Sequence, residues 1–136
     1  MYTPVRAKNE VYRSREHLTL EEVTRLIESA GERGRHRLRD RTLLLLMFRH
    51  GLRAGEAVAL RWDAIMFDAG AISIKRLKRG ESGVHRLQED ELKALAQVKE
   101  RYPESLYVFV SERGAKLSTD AVSKIVGRAG LARGLS

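Results

Sequence analysis

The chain has 136 residues, no cysteine and a net charge of +8. That length makes one domain with room for a core, the missing cysteines exclude disulfides and thiolate metal sites, and the basic balance selects a polyanion as partner. The longest apolar run, Leu43 to Phe48, falls far short of the ~20 residues of a membrane helix, and the polar N-terminus lacks the apolar segment of a signal peptide, so a reducing cytoplasm is the expected setting.

In chain order, Met1 to Arg15 is polar, mildly basic and without periodicity. It reads as a tail of about residues 1–16, ahead of one folded unit spanning 17–136. Thr19-Leu20-Glu21-Glu22 has the T-x-x-E pattern of a capping box and opens a helix. Its apolar face is expected at Leu20, Val23, Leu26, Ile27 and Ala30, with Gly31 and Gly34 ending it. A second helix runs from about Arg37 to His50. Its apolar second half, Leu43 to Phe48, is expected to be buried all round. Gly51 supplies its C-terminal cap.

Residues 35 to 61 hold seven arginines (Arg35, Arg37, Arg39, Arg41, Arg49, Arg53 and Arg61) against Asp40 and Glu56. The cations are all arginine, whose planar fork matches phosphate oxygens two at a time. Several stand in the first turns of the second helix, where positive charge opposes the helix dipole. That mismatch suggests a role toward a partner; a solvated basic face is the plainer alternative. Arg53 opens the next helix just off the buried one. Glu56, one turn on, is placed to brace its guanidinium. A braced arginine at a helix start suits a phosphate, although R-x-x-E also occurs on ordinary helices.

Ile65, Phe67, Ile72 and Ile74 then alternate with polar or small residues, and Asp68-Ala69-Gly70 supplies a turn. Val84 and Leu87 belong to a third run. The pattern predicts a small three-stranded antiparallel sheet over about residues 65 to 87, with Lys75, Arg76, Lys78 and Arg79 crowding a hairpin tip, where Lys75, Arg76 and Arg79 are candidate DNA contacts and an exposed basic turn is the plainer alternative. A third helix is expected over Gln88 to Glu100, with Leu92, Leu95 and Ala96 inward, broken by Pro103. Leu106 to Val110 reads as a short strand. A last helix is capped by Ser118 or Thr119, with Val122, Ile125, Val126 and Ala129 inward. Lys116, Lys124 and Arg128 are candidates to face DNA or, equally, solvent. The fold class is thus α+β, mainly helical. The four histidines, 17, 36, 50 and 85, show no paired ligand spacing, so no metal and no cofactor is expected. His50 stands beside Arg53, as a phosphate contact or as a buried capping histidine.

Three segments carry a family resemblance: GLRAGEAVALRW around Arg53, RLKRGESGVHRL at the hairpin, and VFVSERGAKLS before the last helix. Together they resemble the tyrosine recombinases, or phage-type integrases, with the strongest likeness to the short recombinases that invert bacterial fimbrial-gene switches. The resemblance covers about residues 17 to 134. It implies the N-terminal half of a tyrosine-recombinase catalytic domain. It also implies that Arg53 contacts the scissile phosphate, that Glu56 supports the site, and that Lys78 protonates the leaving 5′ oxygen from the minor groove. Two positions depart from the pattern. Gly55 stands where the family has serine, and Arg86 where it has proline. A separate DNA-clamping domain, present in full-size integrases and absent from the inversion type, has no room before residue 17.

In the family's reaction a tyrosine attacks the phosphodiester to form a 3′-phosphotyrosyl link, while arginines stabilise the transition state and lysine serves as general acid. The H-x-x-R box and the nucleophilic tyrosine that come after the last helix in the family have no counterpart after Ser118 in these 136 residues. The expectation is therefore a site-specific recombinase fragment that binds double-stranded DNA and, alone, does not cut it. Self-association, or pairing with full-length recombinase subunits, is expected, and so is a bacterial, nucleoid-associated location. A truncated relative that binds DNA or a partner without cutting is a second reading. An ordinary helical DNA-binding regulator is a third.

Overall fold

A computed structural model describes residues 19–30, 36–76 and 82–132. Thr19 and Glu22 exchange the two hydrogen bonds of the capping box, each 3.0 Å, and start α1 (Leu20–Ala30). The buried line of α1 passes through Leu26 and Ser29. Leu20 does not join it and is 83% exposed. Nine residues at about 100° each put it opposite Ser29 on the helix. Gly31 and Gly34 lie outside the described residues.

Helix α2 (Arg37–His50) is the axis of the fold. Leu43 and Leu46 enter the main core, while Leu44 turns to a smaller cluster with Leu26 and Ala129. A helix held between two apolar clusters must be apolar around its circumference. Leu43–Leu46 fulfil that expectation, but Met47 and Phe48 are only half-buried. Gly51 ends the helix at φ 65°, a left-handed conformation that glycine adopts without strain. Its own N–H and that of Leu52 both donate to the Met47 carbonyl, which closes the last turn.

A short helix, α3 (Ala54–Val58), follows directly, then a 3-10 turn (Trp62–Ala64). The predicted sheet is present as β1 (Ile65–Met66), β2 (Ala71–Ile74) and β3 (Gly83–Arg86), antiparallel and in that order. Ile65, Ile72 and Ile74 are buried; Phe67 lies just past β1, partly exposed, and stacks on Trp62. Val84 does not point inward. It pairs with Ser73 on the outer face and is 66% exposed, because the Ile72 and Ile74 face is shared by His85 and Gly83.

Helix α4 (Glu89–Arg101) buries Glu91, Ala94, Leu95 and Val98, an i, i+3, i+4, i+7 seam with a carboxylate in it. Ala96, one residue past Leu95, lies outside the seam and is exposed, and Leu92 is half-buried. Residues 106 to 110 are not a strand. They make only the isolated bridges Arg61↔Tyr107 and Val110↔Lys116. Val108, Phe109 and Val110 are buried in succession, which a regular strand of period two does not allow on one face, and Leu106 is exposed. Ser118 is the cap of α5 (Thr119–Ala132), its Oγ accepting the Ala121 N–H at 3.0 Å. Val122, Ile125 and Ala129 are buried as predicted, with Val126 half-buried. Among the described residues no helix is long and apolar enough to cross a membrane.

Candidate nucleic-acid interface

Arg53 occupies the N-cap position of α3, in extended conformation (φ −81°, ψ 162°), with an exposed side chain. The α2 cap at Gly51 and the α3 start at Ala54 leave it at a tight corner between two helices. The corner is carried by buried Leu46, Leu52, Ala57 and Val58. Glu56 lies buried beneath it. One Glu56 oxygen accepts the Arg53 backbone N–H at 2.9 Å and the Nη1–H of Arg76 at 3.1 Å. The expected bracing therefore falls on the backbone of Arg53 and on the guanidinium of Arg76.

Arg76 is the largest departure from the sequence reading. It was expected at an exposed hairpin tip, in contact with DNA. Its side chain is instead 17% exposed and turned back onto the corner. Nη1 donates to the Gly51 carbonyl at 3.1 Å and Nη2 to the His50 carbonyl at 3.2 Å. These are helix-end carbonyls, which lack partners within the helix, and a cation at a helix C-terminus also meets a favourable dipole. Its backbone N–H donates to the Ser82 hydroxyl across the base of the hairpin.

Behind this lies a second polar group. His50 Nε2 is 3.2 Å from Glu91 Oε2, and His50 Nδ1 is 3.0 Å from His85 Nδ1. Two ring nitrogens at that distance hold one N–H between them, with one ring donating and the other accepting. Arg49 completes the group with a two-pronged pair to Asp90, 2.7 and 3.0 Å, and a 3.3 Å contact to Glu91. Burial pushes the Glu91 carboxyl up. Hydrogen bonds from His50 and the Gln88 backbone, with the charges of His50 and Arg49, outweigh it and hold the group below its ordinary value. The Arg49 hydrogen bond holds Asp90 down against its own desolvation. Burial lowers His85, helped by the charges of His50 and Arg76. His50, of the two readings left open, is thus a buried structural group. Although two imidazoles and a carboxylate meet, no metal-holding group exists among the described residues.

The remaining candidates divide. Arg39 is committed to the fold. Its Nε and Nη2 lie 2.8 and 2.7 Å from buried Asp40, and its Nη1 donates to the Val110 carbonyl at 3.1 Å. Arg128 approaches the same carboxylate at 3.7 Å. Arg37 and Lys75 are exposed, and Arg41 is half-buried. Lys116 lies over the Tyr107 ring, and Lys124 makes an exposed 3.6 Å pair with Asp120, an interaction weak enough to yield to another anion. Arg35, Lys78 and Arg79 fall outside the described residues. Of the tyrosines, Tyr102 and Tyr107 are half-buried at the end of α4 and in the following segment, and neither belongs to the Arg53 corner. The corner thus presents one exposed guanidinium on a rigid, internally satisfied base. That arrangement is chemically suited to a phosphate oxygen; among the described residues it contains no positioned nucleophile.

Comparison with known proteins agrees with this geometry. Residues 16–136 match the family model described as the phage integrase family. The chain is 38% identical over 129 residues to the type 1 fimbriae regulatory protein FimB of Escherichia coli K12, covering 91% of this chain and 64% of that protein. The crystal structure of XerA recombinase superposes with a TM-score of 0.74 at 22% identity, over 88% of this chain and 44% of that one. A lambda integrase dimer bound to a COC' core site superposes with a TM-score of 0.68 at 25% identity, over 88% of this chain and 34% of that one. The chain thus spans less than two-thirds of the length of each relative.

Proposed function

The chain belongs to the phage integrase family, the site-specific tyrosine recombinases, and is of the fimbrial-switch type; from that premise we propose that it forms the portion of a recombinase catalytic domain that grips the scissile phosphate of double-stranded DNA. Arg53 binds that phosphate, Glu56 fixes the corner that presents Arg53, and Lys78 is the general acid toward the leaving 5′ oxygen. The observation that carries this reading is the exposed Arg53 side chain at a corner whose other polar groups are internally paired. Residues 17–136 form the catalytic portion. The second arginine and the tyrosine of the reaction come from outside residues 1–136, so Arg53 and Lys78 perform binding and proton donation rather than attack. Arg37, Arg41, Lys75, Lys116 and Lys124 are further contacts to the DNA backbone, Arg37 and Arg41 from the opposite end of α2. Arg39, Arg49 and Arg76 are assigned to the fold. A second recombinase subunit is the protein partner, as in the lambda integrase dimer on its core site.

The test is binding of a labelled duplex across a salt series. Affinity falls steeply with salt, because each phosphate contact releases counterions. Arg53→Ala and Arg37→Ala each lower the salt slope by about one, whereas Arg39→Ala leaves the slope unchanged at matched folded fraction. Affinity independent of salt, or a slope that Arg53→Ala does not move, contradicts the proposal. With a nicked substrate, the 136 residues alone give no protein–DNA covalent adduct; an adduct abolished by one Tyr→Phe change overturns the division of labour.

A further inference from the structure

We infer that Arg76 is a positioning residue for Arg53, pinning the root of the β2–β3 hairpin to the α2–α3 corner. The inference rests on the reading of Arg53 as the phosphate-binding group. Three acceptors converge on the Arg76 guanidinium: the carbonyls of His50 and Gly51, which end α2, and the carboxylate of Glu56, which holds the first N–H of the α3 cap. Arg53 lies between them in sequence, at positions 50, 51, 53 and 56. One planar fork therefore brackets the phosphate-binding residue on both sides. The backbone of Arg76 is tied in turn to Ser82, just ahead of the returning strand of the hairpin. A displacement of the hairpin root must then pull on either the α2 end or Glu56, and through Glu56 on the Arg53 amide.

Lysine cannot replace this arginine. An ammonium is a single point donor on a flexible stem, without the fixed fork that reaches acceptors on two elements. Arg76→Lys keeps the charge near the DNA and removes the pin, which separates positioning from direct contact. The 136-residue chain is measured as wild type, Arg76→Lys, Arg53→Ala and the double variant, with a duplex of arbitrary sequence over a salt series. Backbone amide exchange at Arg53 is followed by NMR. Glu56→Gln serves as an independent second variant, since it keeps an acceptor for the Arg53 N–H and removes the charge that holds Arg76.

Arg76→Lys is expected to weaken binding several-fold and to lower the salt slope by about one, although no charge is lost. The same change in the Arg53→Ala background is expected to add nothing, as for residues that act through one another. Amide exchange at Arg53 becomes faster in Arg76→Lys and in Glu56→Gln. Equal losses in both backgrounds make Arg76 a DNA contact in its own right and overturn the inference. Wild-type binding and wild-type Arg53 exchange in Arg76→Lys overturn it too. If Arg53→Ala itself changes neither affinity nor slope, the phosphate reading falls. Exchange at Arg53 then decides the pin alone: faster in Arg76→Lys supports it, unchanged overturns it.

Discussion

The two ends of α2 carry similar sequences of cations and use them differently. At the N-terminal end, Arg37, Arg39 and Arg41 oppose the helix dipole, and the fold answers with Asp40 in the same turn. Asp40 is buried, draws in Arg39 and Arg128, and leaves Arg37 outside. At the C-terminal end, Arg49 and His50 agree with the dipole, yet they too are consumed, by Asp90 and the fully buried Glu91 of α4. One end spends a single carboxylate on its own turn. The other spends two from a distant helix, and so fastens α2 to α4. The lesson is that an arginine's charge does not say whether it serves a partner; the carboxylates that the fold brings to it do.

The sharpest way to break that contrast is to delete the carboxylates in turn. Glu91→Ala leaves Arg49 and His50 facing a buried gap and is expected to cost about 3–5 kcal/mol of unfolding free energy in urea. Asp40→Ala, which leaves Arg39 its bond to the Val110 carbonyl and Arg128 largely in water, is expected to cost about 2 kcal/mol. Equal costs would erase the difference between the two ends.

Acid should also tell them apart. His85 is met by His50 from α2 and by Arg76 at the end of β2, with Glu91 of α4 beyond His50, and its folded pKa lies below the ordinary 6.5. A base whose pKa is lowered by folding contributes stability that is complete above 6.5 and is lost as the pH falls below it. Glu91 and Asp90 are lowered as well, so a second loss begins below their ordinary values of 4.5 and 3.8. Unfolding free energy measured from about pH 8 down to about pH 2 should therefore decline in two stages. His85→Asn should flatten the upper stage and leave the lower one. An upper stage that survives this change would remove the imidazole pair as its cause.

The smallest expected effect concerns the corner itself. A Cβ on Gly51 meets nothing within 4 Å, so Gly51→Ala costs only the strain of φ 65°, about 1 kcal/mol by thermal melting. A much larger loss would mean that the helix end, rather than α4, is what secures that side.

Much of this was legible in the sequence, for physical reasons. The α1 capping box, the Gly51 cap, the leucine run and the alternation of Ile65, Ile72 and Ile74 are local patterns, and local patterns survive folding. Arg53 was legible because its place between a capped helix and a new one is local too. Arg76, Glu91 and Asp40 were not. Each looks in sequence like an ordinary surface charge, yet Arg76 and Glu91 are defined by partners 20 and 41 positions away and Asp40 by burial that no periodicity announces. The signal that does exist for Glu91 is its position in the seam with Ala94, Leu95 and Val98. A charge on an apolar stripe calls for a buried counter-charge.

Strand β3 shows what such a fold leaves adjustable. None of its four residues is buried; it is held by backbone hydrogen bonds to β2, by His85 against His50, and by Leu87 just beyond its end. Backbone bonds do not depend on which side chains are present. Val84 and Arg86, with Ser73 opposite, therefore form an outward face where replacements cost folding little. The strand can change its vocabulary of contacts, by single and individually tolerated steps, while the domain keeps its shape.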